Sequence, residues 1–498
     1  MKSTCAVHPV ACALCGKPPT RTEAHSPTHR IRLQQRMVAR CMLVLVAILF
    51  ASVAAAQDKP AQDFPSQVPS QVPWRYDEDW SVLRDRDLSL LPDWIPAKYQ
   101  PLSADGSIWM STGVEARARY EGYRNNSWGS AASPNDGYLW LRLMPHADVH
   151  AGPVRAFVQG IAGYVVGLDP PPSPADKTGV DLLQGFGEVK LPVGDATVQL
   201  RGGRELIALG TERLVGLRYG PNIPQPFDGV HAIANAGPIR FQLMDLRPVN
   251  IAPENFDDRA STTRHLTAAY ATFQHGHIGL DAYLLDYRND TAQFEQGKGS
   301  EHRQTYGLRT FGEVGRWSWN WELMLQRGRF ADAQIHAWSL GTETAYRIDP
   351  FTLRLRADII SGDHDSSDRV LQTFNPLFPK GKYFGELTPL GPSNIIDLHP
   401  GIDVDLGHHV TLGVASINYW RESAGDGIYG IAGNLLRSGN SSNARHIGDQ
   451  QELTLNWHPH PFFNILASYS VFEAGEFTKQ TGPANTIHMI GFEALWRF

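Results

Sequence analysis

From Ser107 to the C-terminus, apolar and polar residues alternate with a period of two, and no 3.6-residue period persists over a useful length. In Val114–Glu121 one face carries Val114, Ala116, Ala118 and Tyr120, and the other carries Glu115, Arg117, Arg119 and Glu121. Leu139, Leu141 and Leu143 oppose Trp140, Arg142 and Met144; Val154, Ala156 and Val158 oppose Arg155, Phe157 and Gln159; Val198 and Leu200 oppose Gln199 and Arg201. Farther on, Trp317, Trp319, Trp321, Leu323 and Leu325 alternate with Ser318, Asn320, Glu322, Met324 and Gln326, while Leu353, Leu355, Ala357 and Ile359 alternate with Arg354, Arg356 and Asp358. A strand with large apolar groups on one face and charge on the other divides two solvents, as a wall between lipid and water must.

The punctuation between these runs predicts the topology. Short Gly, Pro, Asp or His clusters occur at His150–Pro153, Pro192–Asp195, Asn235–Pro238, Gln274–His277, Glu313–Arg316, Arg347–Pro350, Leu406–His409 and Trp457–His460. Nine long polar segments alternate with them, at roughly 121–137, 162–181, 203–228, 246–264, 287–303, 327–336, 361–398, 421–448 and 473–485. Eight tight turns on one side and nine loops on the other join about 18 strands, with both termini on the short-turn side. The fold class expected is all-β: a transmembrane antiparallel β-barrel of the bacterial outer-membrane type, spanning residues 107–498. A soluble propeller or large sandwich would bury both faces of many strands, and the final strand argues against it. Ile490, Phe492, Ala494, Trp496 and Phe498 share one face up to the last residue, so closure between first and last strands would leave no edge unpaired in lipid.

The segment before the barrel reads differently. Arg36 and Arg40 precede the apolar run Cys41–Ala54, which ends in Ala54, Ala55 and Ala56, giving residues 37–56 the form of a secretory signal. Residues 1–36 lie upstream of it and are expected to be a non-native extension, with translation starting at Met37. Residues 57–106 form a periplasmic leader and N-terminal segment that begins rich in Pro, Gln and Ser. All four cysteines, Cys5, Cys12, Cys15 and Cys41, fall in the first 56 residues, so the barrel has neither disulfides nor thiolate metal sites. That stretch also holds seven of the 45 basic residues but one of the 51 acidic ones, leaving an acidic body unsuited to general nucleic-acid binding. The body holds no series of apolar stretches about 20 residues long, which excludes a helical membrane bundle.

Three blocks carry a resemblance. Tyr76–Asp85, then Gly203-Arg-Glu-Leu206 with Arg213-Leu-Val, Gly220-Pro-Asn222 and Phe227-Asp-Gly229, then Thr373–Pro379 with Tyr383-Phe-Gly385, resemble the alginate export family of outer-membrane porins in this order. The resemblance covers nearly the whole chain after residue 74. It implies an 18-stranded barrel and passage of an anionic polysaccharide such as a uronate polymer through an arginine-lined pore, without chemical conversion. The implied partners are outer-membrane lipid, the polysaccharide, a periplasmic export complex, and barrel assembly machinery engaging the C-terminal strand that ends at Phe498.

Inward positions of the early strands supply Arg117, Arg119, Arg142, Arg155 and Arg201, and later ones supply Arg240, Arg354 and Arg356. Guanidinium stays charged and grips a carboxylate through two parallel hydrogen bonds, so several in series offer handover between weak sites. Glu115, Glu121, Glu188 and Asp358 would orient these groups; the same pairs could equally do no more than stiffen the wall. The Trp-rich face and Phe498 are expected against lipid. Asp363, Asp365 and Asp368 have the oxygen density of a calcium loop but lack its spaced glycine and terminal Glu, which favours a solvated outer loop. Pro170–Pro172 and Pro174 stiffen the second outer loop, which is the candidate to fold into the mouth. No cofactor is expected. No G-x-S-x-G elbow or H-E-x-x-H motif occurs, and His275, His277, His408 and His409 flank turn glycines, so an outer-membrane hydrolase is the least favoured alternative. A nutrient porin taking up small anions is the nearer one, because a passive channel has no built-in direction.

Overall fold

The computed structural model describes residues 69, 71–84 and 97–498, so the extension 1–36, the signal 37–56 and much of the leader lie outside the described residues. Eighteen long antiparallel strands form a closed barrel. They are β1 (Ile108–Arg124), β2 (Gly137–Ala151), β3 (Val154–Val166), β4 (Gly179–Val193), β5 (Ala196–Leu206), β6 (Pro226–Ala236), β7 (Ile239–Asn250), β8 (Arg264–His275) and β9 (Ile278–Phe294). The second half comprises β10 (Gly297–Val314), β11 (Trp317–Phe330), β12 (Ala333–Ile348), β13 (Phe351–Ile360), β14 (Ile395–Asp405), β15 (Val410–Trp420), β16 (His446–His460), β17 (Phe463–Ala474) and β18 (Ile487–Arg497). Each strand pairs with its sequence neighbours, and β1 pairs with β18 from Glu115 opposite Arg497 to Arg124 opposite His488, closing the ring.

All eight expected tight turns exist. Five of them place glycine first of two central residues, at Gly152, Gly194, Gly237, Gly276 and Gly315, with φ between 55° and 63°. That position in a two-residue hairpin demands positive φ, which a side chain would resist. The turn expected at Trp457–His460 lies just beyond, because β16 continues to His460 and bends at 461–462. On the opposite side two of the nine expected long loops are not loops: 287–303 and 327–336 are mostly strand, and turn in the two residues 295–296 and 331–332. Their polar residues are strand residues on long hairpins, exposed on the outer face and buried on the inner one, as Glu301 and Arg303 are, so a polar run does not mark a loop there.

The exterior carries the expected apolar belt. Val158, Leu200, Val230, Leu243, Leu280, Leu308, Trp321, Leu353, Leu455 and Phe492 are exposed large hydrophobics on outward positions around the ring. Phe498 departs from the expected lipid contact: its ring is half-buried at the periplasmic rim, stacked on Trp496 at 5.8 Å and capped by Lys98 Nζ at 4.4 Å. The N-terminal segment makes that cap, for Arg75 Nη2 also donates to the Phe498 carbonyl at 3.0 Å. Lys98 is buried there, and burial first, then neighbouring Arg75, lowers its pKa to about 7.

An empty barrel of this strand number would hold a wide aqueous channel. Here loops enter it. Of the second outer loop, Pro170, Pro171, Pro172 and Pro174 stay exposed and only the last residues turn in, where Trp140 Nε1 donates to Asp176 at 3.1 Å and Ile223 N to Ala175 O at 3.1 Å. The third loop (207–225) and the seventh (361–394) turn inward. Ile207, Leu209, Leu214, Val215, Phe374, Phe378, Tyr383 and Phe384 pack against inward Met244, Leu266, Tyr270, Tyr283, Leu285 and Met324 in one buried cluster. Apolar burial of this kind holds a loop inside a barrel as it holds any core.

Candidate functional site in the barrel lumen

The third loop leaves the wall between β5 and β6, and the seventh leaves it between β13 and β14, nearly half-way round the ring. They meet in the lumen. Val215 pairs with Phe378 in a parallel bridge; Gly216 N donates to Phe378 O at 2.8 Å, Phe378 N to Leu214 O at 2.8 Å, and Lys380 N to Glu212 O at 2.9 Å. The approach is tight: a Cβ at Gly381 would stand 2.1 Å from Pro221 Cδ, and one at Gly220 would stand 2.4 Å from Lys382 Cγ.

The sequence-predicted arginines divide around this bridge. On β1, Arg117 donates to the carbonyls of Tyr219, Gly220 and Pro221 at 2.6–2.9 Å and pairs with Glu493 at 2.9 Å. Arg142 on β2 pairs with Glu115 at 2.8 Å, donates to Asn222 O at 3.1 Å and lies 4.3 Å over the Tyr219 ring. Both therefore hold the third loop. Arg119 holds the seventh, pairing with Glu386 at 2.5 Å as well as with Glu121 and Glu493. Glu115 completes this wall by accepting from Arg497 of β18 at 3.0 Å. These side chains are buried, and their fork geometry serves backbone carbonyls and fixed carboxylates.

Arg155 and Arg201 stand lower, at the N-terminal segment. Arg201 pairs with Glu188 at 2.6 Å and Glu205 at 2.7 Å, and lies over the Tyr76 ring at 4.5 Å. Arg155 pairs with Asp148 at 2.7 Å and donates to the Tyr76 carbonyl. Arg240 is exposed near the periplasmic start of β7 and joins neither group.

Arg354 and Arg356 on β13 face open space. With Lys380 and Lys382 of the seventh loop, Glu343 of β12, His399 of β14 and Glu452 of β16 they line a cavity of about 210 Å³. Its lower wall includes Gly413 and Thr454, a few residues from the periplasmic turns, so the cavity lies beneath the seventh loop. Arg354 pairs with Asp403 at 2.6 Å, yet its side chain is 44% exposed; Arg356 stands 3.8 Å from Asp358. Asp358 also faces Arg213 of the third loop at 3.5 Å, and Arg213 reaches Glu322 at 3.5 Å, tying that loop to β11 and β13. Lys382 bridges Glu121 at 2.7 Å and Glu386 at 3.5 Å. Burial alone would raise Glu386, but Lys382 and Arg119 outweigh it and hold it below the usual carboxylate range.

Sequence reasoning missed Lys380 and Lys382, because strand alternation assigns faces only within strands. The signal available was Lys380-Gly-Lys382 between the two halves of the Thr373–Gly385 block. The carboxylates considered for calcium do not converge. Asp363 is buried against Gln296 at 2.5 Å, whereas Asp365 is exposed and takes up its own loop at Ser367.

The family model described as alginate export matches residues 108–492, from the first residue of β1 to the middle of β18. The chain belongs to the alginate export family. No curated protein matches the sequence significantly. Among solved structures, this alginate export family member resembles three porins of Pseudomonas aeruginosa. OpdK with vanillate shares 12% identity at a TM-score of 0.55, covering 78% of this chain and 98% of that one. OccK2 (OpdF) in complex with glucuronate shares 14% at 0.53, with the same coverage. OccK11 (OpdR) shares 11% at 0.51, covering 78% and 96%. At such identities the likeness concerns the fold, a porin barrel. Family and barrel together make the chain an outer-membrane channel protein of the passive kind rather than an enzyme.

Proposed function

We propose that this alginate export family member conducts an anionic polysaccharide or oligosaccharide, of alginate-like uronate type, through its lumen by way of the cavity between β12–β16 and the seventh loop. The observation that carries the reading is the convergence of Arg354, Arg356, Lys380 and Lys382 on one accessible space with two carboxylates, Glu343 and Glu452, for company. Guanidinium and ammonium groups in one wall attract carboxylates, and nearby acids keep each contact weak enough to release. Arg117, Arg119 and Arg142 act on the path indirectly, by fixing the loops that narrow it.

The test is electrophysiological. In planar bilayers the wild type should prefer anions and be blocked by uronate oligomers more strongly than by neutral ones. The variant Arg354→Gln/Arg356→Gln/Lys380→Gln/Lys382→Gln should lose that preference and weaken uronate block by about tenfold or more. Unchanged selectivity and block would defeat the reading.

Uptake of small anions is the second reading, favoured by a cavity of about 210 Å³ that suits one sugar unit and by the vanillate and glucuronate complexes of the similar porins. Block by monomeric glucuronate as strong as by the oligomer would select it.

A further inference from the structure

Three rows of outward-facing residues cross β9, β10, β11 and β12 at their extracellular ends. The lowest runs Leu284, Tyr306, Leu325, Trp338, each directly opposite the next. All four are exposed, and an aromatic-rich row at this height is where an interfacial girdle belongs. The next row up runs Asp286, Gln304, Arg327, His336, and the third runs Arg288, His302, Arg329, Gln334. Two residues of tilted strand raise each row by roughly 5 Å, so the upper rows occupy the roughly 5–8 Å headgroup layer above the hydrocarbon.

That layer is basic in this sector. Arg288 and His302 have side chains 63% and 49% exposed, and Arg327, Arg329 and His336 are exposed too. Asp286 is the one acid in the two rows, and His302 at 2.7 Å and Arg288 at 3.6 Å already share it. Among the described residues no carboxylate comes within ion-pair distance of Arg327 or Arg329; Arg327 donates to the Gln326 carbonyl at 2.8 Å. The remaining nearby acids, Asp290 and Asp332, lie higher, at the end of β9 and in the turn after β11. The rest of the ring differs. On β7 and β8, Asp245 faces His265; across β5–β7, Asp228 lies between Arg204, which pairs with it at 2.7 Å and has Asp181 at 3.9 Å, and Arg247, which donates to the Ser261 carbonyl. Across β15–β17 the same height holds Ser416, Asn418, Asp449, Gln451 and Glu473.

We infer that the outward face of β9–β12 is a binding site for the phosphorylated headgroup of a membrane lipid in the extracellular leaflet. The chemistry is charge complementarity continuous with a lipid-facing girdle. Arg327 and Arg329 stand about 7 Å apart along one strand, so a single phosphate fits between their two forks, and Arg288 lies about 10 Å across for a second anionic group. The acyl chains then run down over Leu323, Leu325 and Leu340, all exposed. A passing soluble anion gains nothing from those chains, which singles out the lipid as occupant.

Native mass spectrometry of the purified full-length barrel in detergent tests this, with lipid A and fully dephosphorylated lipid A offered in equal amounts. Wild type should retain the phosphorylated form about tenfold or more over the other. Arg288→Gln/Arg327→Gln/Arg329→Gln should lose the preference while keeping wild-type conductance, and Arg204→Gln should keep it. Equal retention of the two lipids by wild type overturns the inference even if the triple variant fails to assemble, as does a triple variant with its preference intact.

Discussion

Lys380 is the residue whose charge is most exposed to circumstance. Burial, then the adjacent Arg356 and Arg213, lower its pKa to about 8, and Glu343 and Glu212 only partly restore it. A lowered lysine pKa means that the ammonium persists below that value and is lost above it. Arg354 and Arg356 keep their charge throughout, since guanidinium does not titrate in this range. Anion preference should therefore fall, without vanishing, as pH rises from 7 to 9. Lys380→Arg should flatten that profile, and reversal potentials under a salt gradient measure both. A Lys380→Arg channel that still loses selectivity near pH 8 would place the titration elsewhere. Lys380 also marks where sequence reading stops: Arg354 and Arg356 were legible as inward positions of an alternating strand, whereas Lys380 reaches the same cavity from a loop with no period to read.

Among the elements, strands and tight turns were legible because each obeys a local rule, period two for the wall and positive φ for the hairpin glycine. The inward course of the loops was not, because it rests on contacts between residues far apart in sequence, such as Arg117 with Tyr219 and Arg119 with Glu386. The proline-rich second loop was the visible candidate to enter the mouth, but stiffness alone supplies no buried surface, and the third and seventh loops enter because they carry Leu214, Val215, Phe374 and Phe378. Two substitutions test this wedge. Gly381→Ala puts a methyl into Pro221, and Arg117→Ala removes the nearer of the two arginine donors to the carbonyls of the third loop, leaving Arg142 at 3.3–3.5 Å from Tyr219 O and Pro221 O. Each should loosen the loops and raise single-channel conductance, and Arg117→Ala, which leaves Glu493 paired with Arg119 but the Gly220 carbonyl without its donor, should also cost roughly 1–3 kcal/mol of stability, read as a lower melting temperature. The eighth loop is pinned to the seventh through Asp426, which accepts from Thr373 Oγ1 at 2.5 Å, Asp363 N at 3.0 Å and Tyr429 OH at 2.7 Å. Asp426→Ala leaves those buried donors unpaired, and protease added outside should then cut the seventh loop faster.

At the scale of the whole molecule, two structures occupy the same space: a ring whose closure by β1 and β18 fixes its width, and an apolar wedge that fills the width the ring creates. The ring is held by strand pairing and does not depend on the wedge, because every strand keeps both neighbours without it. Deleting residues 376–384 together with 211–219 should therefore leave a folded barrel, still migrating as a compact species in unheated detergent gels. It removes the Val215–Phe378 bridge and with it most of the obstruction. Conductance should rise several-fold, towards that of an open barrel of this size. Selectivity should weaken less than conductance rises, because Arg354 and Arg356 stay on the wall while Lys380 and Lys382 go with the loop. A deletion channel with unaltered conductance would mean that ions bypass the bridge altogether, and the cavity beneath it would no longer be the narrow part of the path.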